Sequence, residues 1–177
     1  MGAQALRGIK SVIFCIILCW TVFVLQGVYP FVAYGIQPRT YEGLIGIVAS
    51  PFLHANINHL LANTAGLVTF GLIFGLLERK NASSILITII LLQGTMTWIF
   101  ARPGNHIGAS GLVFGLFGYL MLAGLFKRHL IYLLVSCFIF FSYGSFIFGI
   151  LPTEERISWE AHLFGFIAGG FSARAKG

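Results

Sequence analysis

Aspartate is absent from this 177-residue chain, and charged residues of either sign make up only 9% of it. Soluble domains carry about 25% charged residues, so the scarcity excludes a soluble globular class and leaves no room for a separate soluble domain. The net charge of +6 could suggest nucleic acid. Its basic residues, however, stand in ones and twos between apolar runs, a pattern of topology signals, and no nucleic-acid partner is expected. Cysteine is also sparse: Cys15, Cys19 and Cys137 lie in apolar stretches and are odd in number. Cys15 and Cys19 share a helix face without a third or fourth ligand, so all three read as reduced, buried hydrophobes. No metal site and no cofactor is expected. A small-x-small cleavage site is missing too. Arg7 and Lys10 precede an apolar run over 11–25, but Gln26, Gly27 and Val28 follow it, so the segment reads as a retained first span.

What the chain has in abundance is apolar sequence, 58% of all residues. A bilayer core needs about 20 apolar residues per helix, fewer where neighbours shield it. Six stretches qualify: about 9–28, 57–77, 83–101, 110–126, 130–150 and 159–174. The expectation is an all-α, multi-pass integral membrane protein, a six-helix bundle forming one domain over 1–177. With the N-terminus inside, the cytoplasmic side collects Arg7, Lys10, Arg79, Lys80, Lys127, Arg128, Arg174 and Lys176. The outer side receives Arg39, Arg102 and Arg156, with four of the five glutamates. That asymmetry places both termini in the cytoplasm. The long outer connection, about 29–56, mixes Tyr29, Phe31, Tyr34, Tyr41, Leu44, Ile45 and Phe52 with few charges. It suits partial immersion at the headgroup level, with an ordinary aqueous loop as the alternative.

Ionisable residues inside a membrane are costly and are functional candidates by default. Ser110 opens the fourth span within Gly108-Ala109-Ser110-Gly111, and His162 lies a turn inside the sixth from the same side. His59 and Asn63 stand one helical turn apart near the outer start of the second, on one face. Four polar residues from three spans thus fall at similar depth. Gly111, Gly115 and Gly118 on the fourth span, and Gly165 and Gly169 after His162, have the spacing that lets two membrane helices approach closely. Such an approach would bring the Ser110 hydroxyl to the His162 imidazole, as a serine nucleophile requires. The His59 imidazole, the Asn63 amide and the Ser110 backbone N–H are suitable oxyanion donors. Taken singly, the glycines could be plain packing residues, and His59 and Asn63 could serve as interhelical glue. His54 reads as a structural loop residue.

The missing aspartate excludes a Ser-His-Asp triad. The glutamates fall in loops or, for Glu78, on the opposite side, and no buried carboxylate is expected. A hydrolase here would work as a Ser–His dyad with its histidine held by packing. Gly-x-Ser-x-Gly spacing is absent, which rules out an α/β-hydrolase elbow.

These residues resemble the rhomboid intramembrane serine proteases. The likeness rests on His59-Leu60-Leu61-Ala62-Asn63, Gly108-Ala109-Ser110-Gly111 and Ala161-His162-x-x-Gly165-x-x-x-Gly169, each in the matching span. It implies Ser110 as nucleophile, His162 as general base, and His59, Asn63 and the Ser110 N–H as oxyanion donors. It further implies that His54 stabilises the first loop and that Phe114 packs on the catalytic histidine. Gly108 and Gly165 would support the site. Substrates would be transmembrane proteins entering from the bilayer, in a prokaryotic inner membrane. The family's Trp-Arg pair is missing near Ile45-Gly46, so anchoring of the first loop is expected to differ. The stretch from Asn63 to Glu78 also looks a few residues long. The fifth span, rich in Phe138, Phe140, Phe141, Phe146 and Phe148, suits either a mobile gate or simple lipid contact. The rival readings are a catalytically inactive rhomboid-like binder and a small transporter. The transporter would require internal repeats or charges in mid-membrane, and neither is evident.

Overall fold

The computed structural model describes residues 3–152 and 157–175. Glu154, Glu155, Arg156 and Lys176, used above for orientation, lie outside the described residues. Six long helices dominate: α1 (Ala3–Leu25), α3 (Ile57–Glu78), α4 (Ala82–Phe100), α5 (Ser110–Phe126), α6 (Leu130–Tyr143) and α7 (Trp159–Ala175). A single-turn helix, α2 (Gly46–Ala49), and three short 3-10 turns lie between α1 and α3, and a longer 3-10 segment (Gly144–Ile150) extends α6. Among the described residues, four helices are long and apolar enough to cross a membrane: Leu6–Leu25, Ile57–Glu78, Ala82–Phe100 and Leu130–Ile150. Helices α5 and α7 are shorter, at 17 residues each. The first span ends at Leu25, earlier than the apolar pattern suggested, because the chain turns at Gln26 to meet the first loop. Helix α3 does run through to Glu78.

Helix α5 is apolar all round, as expected of a helix enclosed by others. Every residue from Gly111 to Leu120 is buried. Its closest neighbour is α7. A Cβ placed on Gly165 would strike the Gly111 carbonyl, one on Gly169 the Gly115 carbonyl, and one on Gly118 the Phe166 carbonyl. The two backbones therefore touch, and the small residues at these spacings are what permit it. Helix α1 meets α3 in the same way, Gly8 against Gly75 and Val12 against Gly71. Helix α6 is attached differently. It buries only Ser136 and Ile139, and the Ser136 hydroxyl donates to the Leu120 carbonyl (2.7 Å) while accepting from the Gly124 N–H (2.8 Å). Phe138, Phe140, Phe141 and Phe148 face outward. Phe146 turns inward and stacks on Phe114.

The first loop is folded, with many ties to the bundle. Ile36 and His106 exchange two backbone hydrogen bonds, each 2.9 Å. The Arg39 guanidinium donates to the Ile99 and Ala101 carbonyls (3.0 and 2.8 Å) at the end of α4, and the Trp98 indole donates to the Thr40 carbonyl (2.9 Å). Arg39 and Trp98 thus anchor the loop without a Trp-Arg pair at 45–46. Tyr34, Tyr41, Leu44, Ile45 and Val48 remain exposed.

Two carboxylates are buried, which corrects the expectation of none. Glu160 is in the first turn of α7, paired with Arg102 (3.3 Å). Glu78, only 5% exposed, accepts from the Tyr119 and Tyr132 hydroxyls and lies 3.3 Å from the Lys127 ammonium. A buried acid is tolerable when charge and lone pairs are satisfied together, and this one ties α3, α5 and α6 at the end away from Ser110. Glu78→Ala is expected to cost about 2–3 kcal/mol, read as an earlier unfolding midpoint in detergent titrated with dodecyl sulfate. Glu78→Gln should recover part of the loss.

Candidate functional site

Ser110 is the first residue of α5, and the loop before it is fixed residue by residue. The Gly108 N–H donates to the Ser50 carbonyl (2.9 Å), and the Ala109 N–H points to His54 Nε2 (3.5 Å). Gly108 has φ +114°, a backbone region that side chains disfavour. A Cβ there would also lie 2.5 Å from His59 Nε2 and 3.2 Å from Asn63 Nδ2. Glycine is therefore required twice over, and the close approach puts both polar groups beside the turn that leads into Ser110. His59 and Asn63 share a face of α3, whose start is capped by the Asn56 side chain accepting from the His59 N–H (2.9 Å). Asn63 is 6% exposed, and its Nδ2 has no hydrogen-bond partner among the described residues. Such an amide is a donor in want of an acceptor.

His162 occupies the first turn of α7. Its ring stacks on Phe114 at 4.2 Å and 11°, and Phe114 stands one helical turn after Ser110 on the same face. The imidazole and the serine hydroxyl thus lie on the same side of α5, both on the wall of one cavity. His162 Nδ1 lies 2.8 Å from the Gly149 carbonyl. A carbonyl only accepts, so Nδ1 carries the proton and Nε2 is left with a free lone pair. The two side chains are not hydrogen-bonded to each other, and catalytic hydrogen bonds of this kind often tighten only around substrate. Ser110, His162, His59, Asn63 and Phe114 all line one cavity of about 790 Å³. Its walls come largely from α3, with α5, the loop before it, the segment after α6 and the start of α7 contributing the rest. Gly165 lies further along α7, against the Gly111 carbonyl, and sets the helix spacing.

His54 lies beneath this site in the first loop, fully buried. Its backbone is clamped by Gln26, which donates to the His54 carbonyl (2.8 Å) and accepts from its N–H (3.3 Å). Its ring meets His59 edge-on at 5.1 Å. Burial, then the neighbouring His59 charge, lowers its pKa to about 4. The unfolded chain binds this proton near pH 6.5 and the folded one only near 4, so folding stability is complete above about 6.5 and falls as the pH drops towards 4. The expected loss is on the order of 2–3 kcal/mol. Unfolding midpoints at pH 7 and pH 4.5 should differ for the parent and differ less for His54→Gln.

Three contributors were not singled out from sequence. Gly149 acts through a carbonyl, which every residue has, so no side chain announces it. Arg39 anchors the loop to a carbonyl 60 residues away, Ile99. His106 was visible as an ionisable residue four positions before Ser110, and only its partner was hidden. Glu160, two residues before His162, aims its carboxylate at Arg102 rather than at the imidazole, so the histidine is oriented by a carbonyl and a ring.

Residues 41–175 match the family model of the Rhomboid domain. The chain belongs to the rhomboid family. An uncharacterized protein of Mycobacterium tuberculosis is 35% identical over 148 residues, covering 78% of this chain and 62% of that protein. YdcA of Bacillus subtilis, named as a candidate rhomboid protease, is 30% identical over 71% of this chain and 63% of its own length. RHOMBOID-like protein 1 of Arabidopsis thaliana is 32% identical over 67% of this chain and 31% of its own. The chain thus spans less than two thirds of the length of the curated relatives it matches. Family membership together with several long apolar helices makes this chain a multi-pass membrane protein.

Proposed function

We propose that the chain is an intramembrane serine endopeptidase that cleaves transmembrane or juxtamembrane segments of membrane proteins through a Ser110–His162 dyad. The observation that carries this reading is the state of His162: stacked on Phe114, one helical turn from Ser110, with Nδ1 committed to the Gly149 carbonyl and Nε2 free to take a proton. In the reaction, Ser110 Oγ attacks the scissile carbonyl carbon as its proton passes to His162 Nε2. The oxyanion is held by the Asn63 amide, the His59 imidazole and the Ser110 N–H, each donor worth about 3–4 kcal/mol in soluble analogues. His162 then returns the proton to the departing amine, leaving an acyl-enzyme, and water activated by the same imidazole hydrolyses it. No cofactor takes part.

All six long helices are embedded in this reading, as one domain over 1–177 in a prokaryotic inner membrane, with both termini cytoplasmic. The distribution of basic residues supports that orientation. Substrate enters sideways from the lipid past α6, which buries few of its own residues and whose Gly144–Ile150 end is held by Phe146, Ile147 and the Gly149 carbonyl. The exposed aromatic and aliphatic side chains of the first loop rest among headgroups.

The test is cleavage of a model transmembrane substrate in liposomes, alongside labelling by a fluorophosphonate probe. Cleavage and labelling that both require Ser110 support the enzyme. A folded parent chain that does neither is an inactive rhomboid-like binder.

A further inference from the structure

We propose, resting on the dyad reading above, that His106 is a positioning residue: through one hydrogen bond to Ser158 it sets where His162 stands relative to Ser110. His106 lies four residues before Ser110, and Ser158 four residues before His162. His106 Nδ1 and Ser158 Oγ are 2.5 Å apart, and His106 Nε2 is 3.0 Å from the Arg102 carbonyl. Because the carbonyl only accepts, Nε2 carries the proton and Nδ1 accepts from the Ser158 hydroxyl. With both ring nitrogens engaged, His106 is no second base.

Its own place is fixed independently. The His106 ring is 6% exposed, and its backbone exchanges both hydrogen bonds with Ile36. Ser158 passes that position on, since its carbonyl accepts from the His162 N–H (3.3 Å). One continuous path therefore joins the turn that carries the nucleophile to the turn that carries the base, just ahead of both. A parallel tie runs beside it, Arg102 pairing with the buried Glu160 (3.3 Å) and donating to the Ile157 carbonyl (2.6 Å), so loss of the His106–Ser158 bond shifts His162 without releasing α7.

The experiment compares the parent, His106→Ala, Ser158→Ala, the double variant and Ser158→Thr in liposomes. It measures kcat and KM on a model transmembrane substrate and the rate and end-point of fluorophosphonate labelling. The end-point counts folded sites. Each alanine is expected to lower kcat and the labelling rate per folded site by about 10- to 100-fold, the scale of an ångström-sized misplacement, with KM little changed. The double variant should be no slower than either single one, and Ser158→Thr, which keeps the hydroxyl, should recover most of the rate. Parental kcat per folded site in the single variants, or losses that multiply in the double, would overturn the positioning role and leave the dyad standing. A parent without Ser110-dependent labelling removes the dyad, and the positioning role with it.

Discussion

Ser110→Ala and His162→Ala are each expected to reduce turnover by about 10⁴-fold or more, with folding retained. Members of a nucleophile–base unit act together, so the loss of one costs nearly as much as the loss of both. The double variant should accordingly be no slower than either single one. Both substitutions are mild for packing. Ser110 is the first residue of α5, where an alanine fits the helix, and its hydroxyl carries no hydrogen bond that the fold uses. His162 leaves Phe114 one stacking partner poorer, but Phe114 keeps Phe146 at 4.4 Å. Unfolding midpoints should therefore stay near the parent value while liposome cleavage disappears. Undiminished cleavage by either folded variant would remove the dyad.

The largest stability effect is expected from Gly169→Val. A Cβ at Gly169 meets the Gly115 carbonyl oxygen, with the Gly115 carbon and the Tyr119 nitrogen both 2.8 Å away. All three are backbone atoms and cannot rotate aside, so α5 and α7 must separate. Helix α5 is enclosed by its neighbours and has little space to retreat into. Overpacking costs about 1–3 kcal/mol where side chains can yield, and about 3 kcal/mol or more is expected here. Gly144→Ala supplies the control, since nothing lies within 4 Å of its added carbon and a change within about 0.5 kcal/mol is expected. Midpoints measured with dodecyl sulfate in mixed micelles compare the two. Equal midpoints would mean that the α5–α7 contact carries little of the stability.

What the sequence made readable is what side chains advertise. Glycines spaced by three and four on 111–118 and by four on 165–169 carry their packing role on their face, and His59 with Asn63 carry theirs by helical spacing. The apolar runs place most of the long helices to within a few residues, except that α1 begins at Ala3 rather than near 9 and the α-helix of the fifth span gives way to a 3-10 segment at Gly144. Three features escaped for a common reason: their partners are distant or are backbone. Residues 29–56 look irregular until Arg39 finds the end of α4 and Ile36 finds His106. Glu160 looks like a loop acid until Arg102 neutralises it. Gly149 contributes only a carbonyl, so the sequence alone leaves the orientation of His162 to packing, whereas a hydrogen bond shares the work.

The enclosure of α5 has a bearing on how the surrounding lipid acts. Its first ten residues after Ser110 are sealed from the acyl chains, so the depth of the hydroxyl is dictated by protein neighbours and not by the thickness of the sheet in which they float. Helix α6, clad outwardly in phenylalanine, has no such insulation. Lengthening or shortening the lipid tails should therefore change how readily a substrate gets in, while the intrinsic reactivity of the serine stays constant.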